Sequence, residues 1–425
     1  MENIPIIIGI GLVLAFAASK IFKRFGIPQV VGFMAVGILL RMFGVITPEY
    51  VDTLSMIFTL ALGLIGYNIG LELKMSILKG KIRRILLIVI LEATSAFWIV
   101  TLLVLAVTQQ MYVALILGSI ASATAPAATA DVVWDHECKG PVTESLMFVL
   151  AMDDIIAVVL TNAAIAYALF LLTSASDTIF SVILSPLVMT AGSIIIGVIF
   201  GLVFIQFVKI EEEKGVIVEL ELALVILLVG VVDYLAFNDI LAAIAFGVIV
   251  GNGVPKEKQN GPHMLEIIMA PLVMLFFVLA GAKTDFSVFV GGLGSIVIVL
   301  TFLYIGGRTL GKVVGARIGG IATSSEPTVK KYLGICLLSQ AGVALGLSVI
   351  IETEFAALGG EAALFGTIIL SVVAISTMFL EIVGPIAAKW GLERAGEVGN
   401  GRIDCYESIP VESPEILQSS TERDS

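Results

Sequence analysis

The chain has 425 residues, 58% of them apolar and only 14% charged, and its mean hydropathy is +1.07. A soluble domain carries about 25% charged and about 45–50% apolar residues, so a water-soluble fold and a disordered chain are both excluded. The 24 basic and 35 acidic residues leave a net charge of −11, and three cysteines are too few for a disulfide scaffold. An all-α polytopic membrane protein remains, with roughly 20 residues to each crossing.

Apolar runs predict about thirteen transmembrane helices. The first seven lie near residues 4–20, 28–46, 53–71, 84–107, 111–130, 142–172 and 180–207. Six more follow near 217–236, 238–252, 264–282, 293–316, 331–351 and 362–388. The run at 238–252 is short for a full crossing. The first run lacks a cationic leader and a small-residue cleavage site, so it reads as retained. With the N-terminus outside, twenty of the 24 Lys and Arg fall on the inner side. Only Arg41 and Lys283 fall outside, while Arg308 and Lys312 lie within a span. The positive-inside rule therefore places the C-terminus in the cytoplasm. Runs 1–6 begin outside and runs 8–13 begin inside, the arrangement of two inverted-topology repeats joined by a linker helix. Beyond about Gly391 the sequence is polar and acidic, which predicts a disordered cytoplasmic tail over 391–425. That tail is too short for a nucleotide-binding regulatory domain. No cysteine falls on the outer side (Cys138, Cys336 and Cys405), so reduced thiols are expected.

Ionisable groups inside a bilayer are costly and mark function by default. Those well within the spans are Glu92, Asp153, Asp154, Arg308 and Lys312. Asp233 and Asp239 fall near a span end facing the outer interface, and Glu219 and Glu221 near an inner end, where interfacial roles are expected. Two adjacent carboxylates in LMFVLAMDDIIAVVL cannot both stay charged cheaply, so Asp153 and Asp154 suit a proton or a hard cation. The plainer alternative is a pair neutralised by a neighbouring base. Pro126 interrupts GSIASATAPAATADVV, which holds Ser122, Thr124 and Thr129, and predicts a broken helix. A close-packed helix with a mild kink explains the same residues. In the second half SQAGVALGLS, with Ser339 and Gln340, is placed to be a second broken helix. Arg308 and Lys312 are four apart and share a helical face, with Lys312 nearer the inner side and able to snorkel. The candidate partners of Arg308 are Glu92 and the aspartate pair. Gly306–Lys312 fits a phosphate-loop pattern by accident, since Val313 replaces the Ser or Thr. No hydrolase, zinc-protease or redox-cysteine motif appears, and an enzyme is not expected.

These residues resemble the cation/proton antiporter superfamily, in particular Na⁺/H⁺ antiporters with paired aspartates. The resemblance is carried by GIPQVVGFMAVGILL, GLIGYNIGLEL, ATAPAAT, LMFVLAMDDI and IGGRTLGK, and extends over nearly all of residues 4–390. It implies a transmembrane antiporter domain over 1–390 with two discontinuous, crossing helices. Scaffold helices at about 4–71 and 217–282 would meet at a homodimer interface. Core helices at about 84–172 and 293–388 would move, with 180–207 as the linker. It further implies ion and proton binding at Asp154 with Asp153 and Thr129, and a supporting charge pair of Arg308 with Glu92. Lys312 is the rival to Arg308, able to reach Asp153, and Ser122, Thr124, Asp131, Ser339 and Gln340 are further candidates. Ala130 follows Thr129 where some relatives carry an acid, so Asp131 is displaced by one position.

The expected activity is exchange of Na⁺ or Li⁺ for H⁺ in pH homeostasis, electroneutral because Arg, unlike Lys, does not give up its proton. No cofactor, nucleic acid or nucleotide-binding regulatory domain is expected. The partners would be cell-membrane lipid and a second copy of the chain. Potassium-efflux relatives tend to replace the first acid and add a nucleotide-sensing domain, which favours Na⁺ over K⁺. A K⁺/H⁺ exchanger, a Na⁺-coupled organic-anion symporter and a flux-less sensor are the alternatives.

Overall fold

The computed structural model describes residues 4–73, 82–173, 179–255, 260–285, 287–290 and 294–400. Every regular element among them is helical. The first half runs α1 (Ile4–Arg24), α2 (Gln29–Met42), α3 (Pro48–Thr53), α4 (Ser55–Glu72), α5 (Ile82–Thr108), α6 (Met111–Ala121), α7 (Pro126–Asp135) and α8 (Pro141–Thr173). The long α9 (Ile179–Ile210) follows, then α10 (Lys214–Tyr234), α11 (Asp239–Gly253), α12 (Asn260–Lys283), α13 (Ser287–Val290) and α14 (Gly294–Ala322). The chain ends with α15 (Pro327–Tyr332), a 3₁₀ segment (Leu333–Leu337), α16 (Gly342–Leu358) and α17 (Gly360–Ala395).

Nine segments among the described residues are long and apolar enough to cross a membrane, with α6 and α7 together making one. The pair formed by α15 with its 3₁₀ extension and α16, bent by 47° at its break, makes a tenth. Three shorter apolar helices complete the set: α2, α11 and the Ile267–Lys283 part of α12. Each apolar run of the sequence falls on one of these segments. Large side chains such as Val13, Trp98, Phe302 and Ile386 point outward and exposed, an arrangement that suits lipid and not water. The chain is a multi-pass integral membrane protein.

In lipid there is no hydrophobic drive between helices, so close packing depends on small residues. α2 packs on α12, α4 on α11, and α5 on α14. Glycine provides the approach in each: Gly37 and Gly281 face the backbones of Val278 and Met34, and Gly70 and Gly247 face those of Ile244 and Tyr67. The second run of one half thus pairs with the third of the other, twice over. Crosswise pairing of this kind is what two halves of opposite orientation produce.

Two expectations near the helix ends change. Glu221 is fully buried, and its carboxylate accepts a short hydrogen bond from the Tyr67 hydroxyl of α4. It is not interfacial, because α10 packs that turn against α4; Glu219 is exposed as expected. At the C-terminus, α17 continues to Ala395, and Glu397 is only 4% exposed. Its carboxylate accepts from the Val142 and Thr143 amides and the Thr143 hydroxyl, each at 2.7 Å. These are the orphan N–H groups at the start of α8, so Glu397 caps that helix and complements its dipole. Burial and the neighbouring Glu397 and Glu393 push the Cys138 thiol above its ordinary range, which keeps it protonated. The acidic residues expected to be disordered after 400 lie outside the described residues, as do Lys74, Lys79, Lys81, Lys256 and Lys258.

Candidate functional site

Two interrupted helices, one from each half of the chain, meet in the fold. Pro126 sits at the first position of α7, where its missing N–H costs nothing, and Ala125 before it is extended (φ −73°, ψ 118°). The break spans residues 122–125 in the first half, and 338–341 interrupts the second. The breaks touch: the Ala125 amide donates to the Ser339 carbonyl at 3.1 Å, and the Thr129 and Ser339 hydroxyls are 2.9 Å apart. Gln340 Nε2 reaches back to the Ile120 carbonyl at 3.1 Å and the Tyr304 hydroxyl at 2.8 Å. Non-helical backbone at membrane depth survives only where its polar groups find such partners.

Helix α14 supplies most of them. Gly307, Gly311, Gly315 and Gly319 recur every fourth residue along α14 and let it lie directly on α5, where any Cβ would strike α5. Of the accidental phosphate-loop pattern, Gly311 belongs to that stripe and Gly306 faces open space. The same approach carries Arg308 and Lys312, both fully buried, across to the breaks. The Arg308 guanidinium donates to three backbone carbonyls: Leu338 at 2.6 Å, Ala123 at 2.7 Å and Ser339 at 2.9 Å. Lys312 Nζ lies 2.9 Å from Glu92 Oε2, 3.1 Å from Asp153 Oδ2 and 2.5 Å from the Ser122 carbonyl.

This corrects three expectations. Glu92 pairs with Lys312 and not with Arg308, whose two terminal nitrogens are turned to the carbonyls of both breaks. Lys312 does not snorkel to the inner surface; the rival reading holds, with its ammonium at Asp153. The Thr129 hydroxyl pairs with Ser339, with no hydrogen bond to either aspartate among the described residues. Thr124 lies beside the aspartate pair in the first break, with its buried hydroxyl unpartnered among the described residues. Ser122 is buried and gives its hydroxyl to the Ala93 carbonyl at 2.9 Å. Asp131 is exposed on α7.

Counting charges isolates one group. Glu92, Asp153 and Asp154 face Lys312 and Arg308, all of them at most 1% exposed, so the acids exceed the bases by one. Lys312 contacts Glu92 and Asp153, and both carboxylate oxygens of Asp154 lack a hydrogen-bond partner among the described residues. An unpartnered buried carboxylate must take a proton or a cation, and hard cations prefer oxygen ligands of this kind. Replacing Glu92 with Gln leaves Lys312 with one carboxylate instead of two. The expected result is a thermal stability loss of about 1–3 kcal/mol in detergent; unchanged melting would separate Glu92 from Lys312.

The reading of the sequence missed Glu381. It lies in α17, inside the run at 362–388, is 2% exposed, and has an unpartnered Oε2. The signal was present as an acid within an apolar segment, but its position late in the run suggests the interface.

A membrane bundle with two crossing broken helices and buried acids at their junction is the architecture of a cation/proton antiporter. The fold matches the sodium proton antiporter MjNhaP1 from Methanocaldococcus jannaschii at pH 8, with a TM-score of 0.76 at 18% identity, covering 92% of this chain and 97% of that one. A three-dimensional electron microscopy map of the same antiporter gives a TM-score of 0.73 at 18% identity, covering 95% and 99%. No curated protein matches the chain. The family model described as "Sodium/hydrogen exchanger, transmembrane" matches residues 11–393. The chain belongs to the sodium/hydrogen exchanger family, and is therefore a transporter of the cation/proton antiporter superfamily, a class distinct from enzymes.

Proposed function

We propose that this chain exchanges Na⁺ or Li⁺ for H⁺ by alternating access, with cation and proton competing for Asp154. The observation that carries this reading is the pair of unpartnered Asp154 oxygens, buried where the two broken helices meet. Asp153 and Thr124 stand beside it as the adjoining oxygen donors. The loaded or protonated carboxylate crosses between the two faces, whereas the bare anion is too costly to move through the closed site. Exchange is obligatory for that reason.

The transfer is one for one. Asp153 is already engaged by Lys312, and Arg308 is spent on the helix breaks, so Asp154 alone is left to alternate between proton and cation. In this reading the protein is a homodimer in the cell membrane, N-terminus outside and C-terminus cytoplasmic, and serves pH homeostasis. The ion pair between Lys283 of α12 and Glu352 of α16 joins the expected scaffold to the expected core, a contact of the sort that alternation breaks and remakes.

The test is a proteoliposome assay driven by a pH gradient, with Na⁺, Li⁺ and K⁺ in turn and the membrane potential clamped or free. Na⁺ and Li⁺ are expected to dissipate the gradient at rates independent of potential, and K⁺ is not. Competition also sets a sign: a tenfold rise in protons raises half-saturating Na⁺ by up to about tenfold, since both ligands need the same carboxylate. A clear potential dependence would favour Lys312 as a second transported proton site, because a Lys released from Asp153 can give up its proton. Activity with K⁺ alone would favour a K⁺/H⁺ exchanger, and uptake of an organic anion without proton movement a symporter.

A further inference from the structure

Outside the charged cluster, α17 turns one polar face towards the crossing. Thr377, Glu381 and Gly384 are spaced by four and three residues, so they lie on a single stripe of that helix. Gly384 packs directly on Ser339, where any Cβ would strike the Ser339 hydroxyl and backbone. The stripe therefore ends at the second helix break, at the point where Ser339 meets Thr129 of the first break. One turn before Gly384, Glu381 is 2% exposed, and a turn further Thr377 is fully buried. Glu381 Oε2 and Thr377 Oγ1 both lack a hydrogen-bond partner among the described residues. The charges whose fields reach Glu381 are the Arg308 guanidinium and the exposed Asp131 carboxylate of α7, which packs against α17.

A buried carboxylate and a buried hydroxyl with free oxygens, one turn apart, are not needed to hold α17 in place. An apolar pair would pack there at lower cost. Their chemistry is an oxygen cradle for a small hard cation, on the same stripe as the Gly384–Ser339 contact. We propose that Glu381 and Thr377 form a second cation station on the stripe that ends at Ser339, at which Na⁺ pauses on its way to or from Asp154. Asp131, exposed and within electrostatic reach, draws the cation towards it. The station rests on the reading of Asp154 as the exchange site.

The test measures half-saturating Na⁺ in proteoliposomes for Glu381→Gln, Thr377→Val and Asp154→Asn in parallel. Glu381→Gln is expected to raise half-saturating Na⁺ about tenfold, the loss of one anionic contact, and Thr377→Val to raise it severalfold. A wild-type half-saturation in Glu381→Gln, whatever its maximal rate, overturns the station. If Glu381→Gln fails to assemble, Thr377→Val decides alone, and an unchanged value there overturns it. Exchange retained in Asp154→Asn overturns the exchange site itself; exchange lost there with Glu381→Gln and Thr377→Val unaltered overturns only the station.

Discussion

Asp154→Asn is expected to reduce Na⁺-dependent proton movement to the level of protein-free liposomes, without a matching loss of fold. The amide has the shape of the carboxylate but can carry neither the negative charge that holds Na⁺ nor the exchangeable proton. Stability should survive because, among the described residues, Asp154 has no ion pair and both its oxygens lack a hydrogen-bond partner. The neighbouring acid behaves differently. Asp153→Asn removes a carboxylate 3.1 Å from Lys312, so it is expected to cost stability as well as transport. The pair of variants separates ion binding from charge neutralisation although the two residues are adjacent. The checks are pH-gradient-driven flux and thermal unfolding on the same preparations. Robust exchange in Asp154→Asn would remove the assignment.

Arg308→Lys is the second large effect, and it is expected to fail despite preserving the charge. A guanidinium presents a planar fork of donors, whereas an ammonium on a shorter reach cannot serve the Leu338, Ala123 and Ser339 carbonyls together. Each buried acceptor left unmet costs about 1–3 kcal/mol, so a loss of ~3 kcal/mol or more is expected. Those carbonyls belong to both breaks, which makes Arg308 the rivet of the crossing. Loosening it should depress flux and melting temperature together. Wild-type flux and melting in Arg308→Lys would show that charge, and not the three-carbonyl geometry, is what the site needs.

The residues of the site are unequally legible in the sequence. Asp153 and Asp154 were legible because two acids in an apolar run are a local anomaly that needs no partner to be noticed. Pro126 located the first break by the same local logic, and Gln340 and Ser339 were found by symmetry between the halves. Arg308 and Lys312 were legible as well, and the rival reading of Lys312 at Asp153 holds, whereas Glu92 meets Lys312 instead of Arg308. Depth along a span, counted by residues, suggested that Lys312 reaches the inner surface. The glycine stripe of α14 overrides that count, since it lowers the whole helix onto α5 and drives both side chains sideways into the breaks. Thr124 stands beside the aspartates while Thr129 meets Ser339, because an unwound backbone no longer follows helical spacing. Glu221 and Glu397 looked like solvated acids in one dimension, yet each meets a donor from a helix distant in sequence.

Composition, hydropathy and the few buried charges thus determined the class, the positions of the membrane segments and the acids of the site, because lipid imposes its rules on each residue separately. Partnership was decided by the tertiary structure alone. Which base meets which acid depends on how closely two helices approach and where two breaks cross, and those are set by contacts between segments tens to hundreds of residues apart.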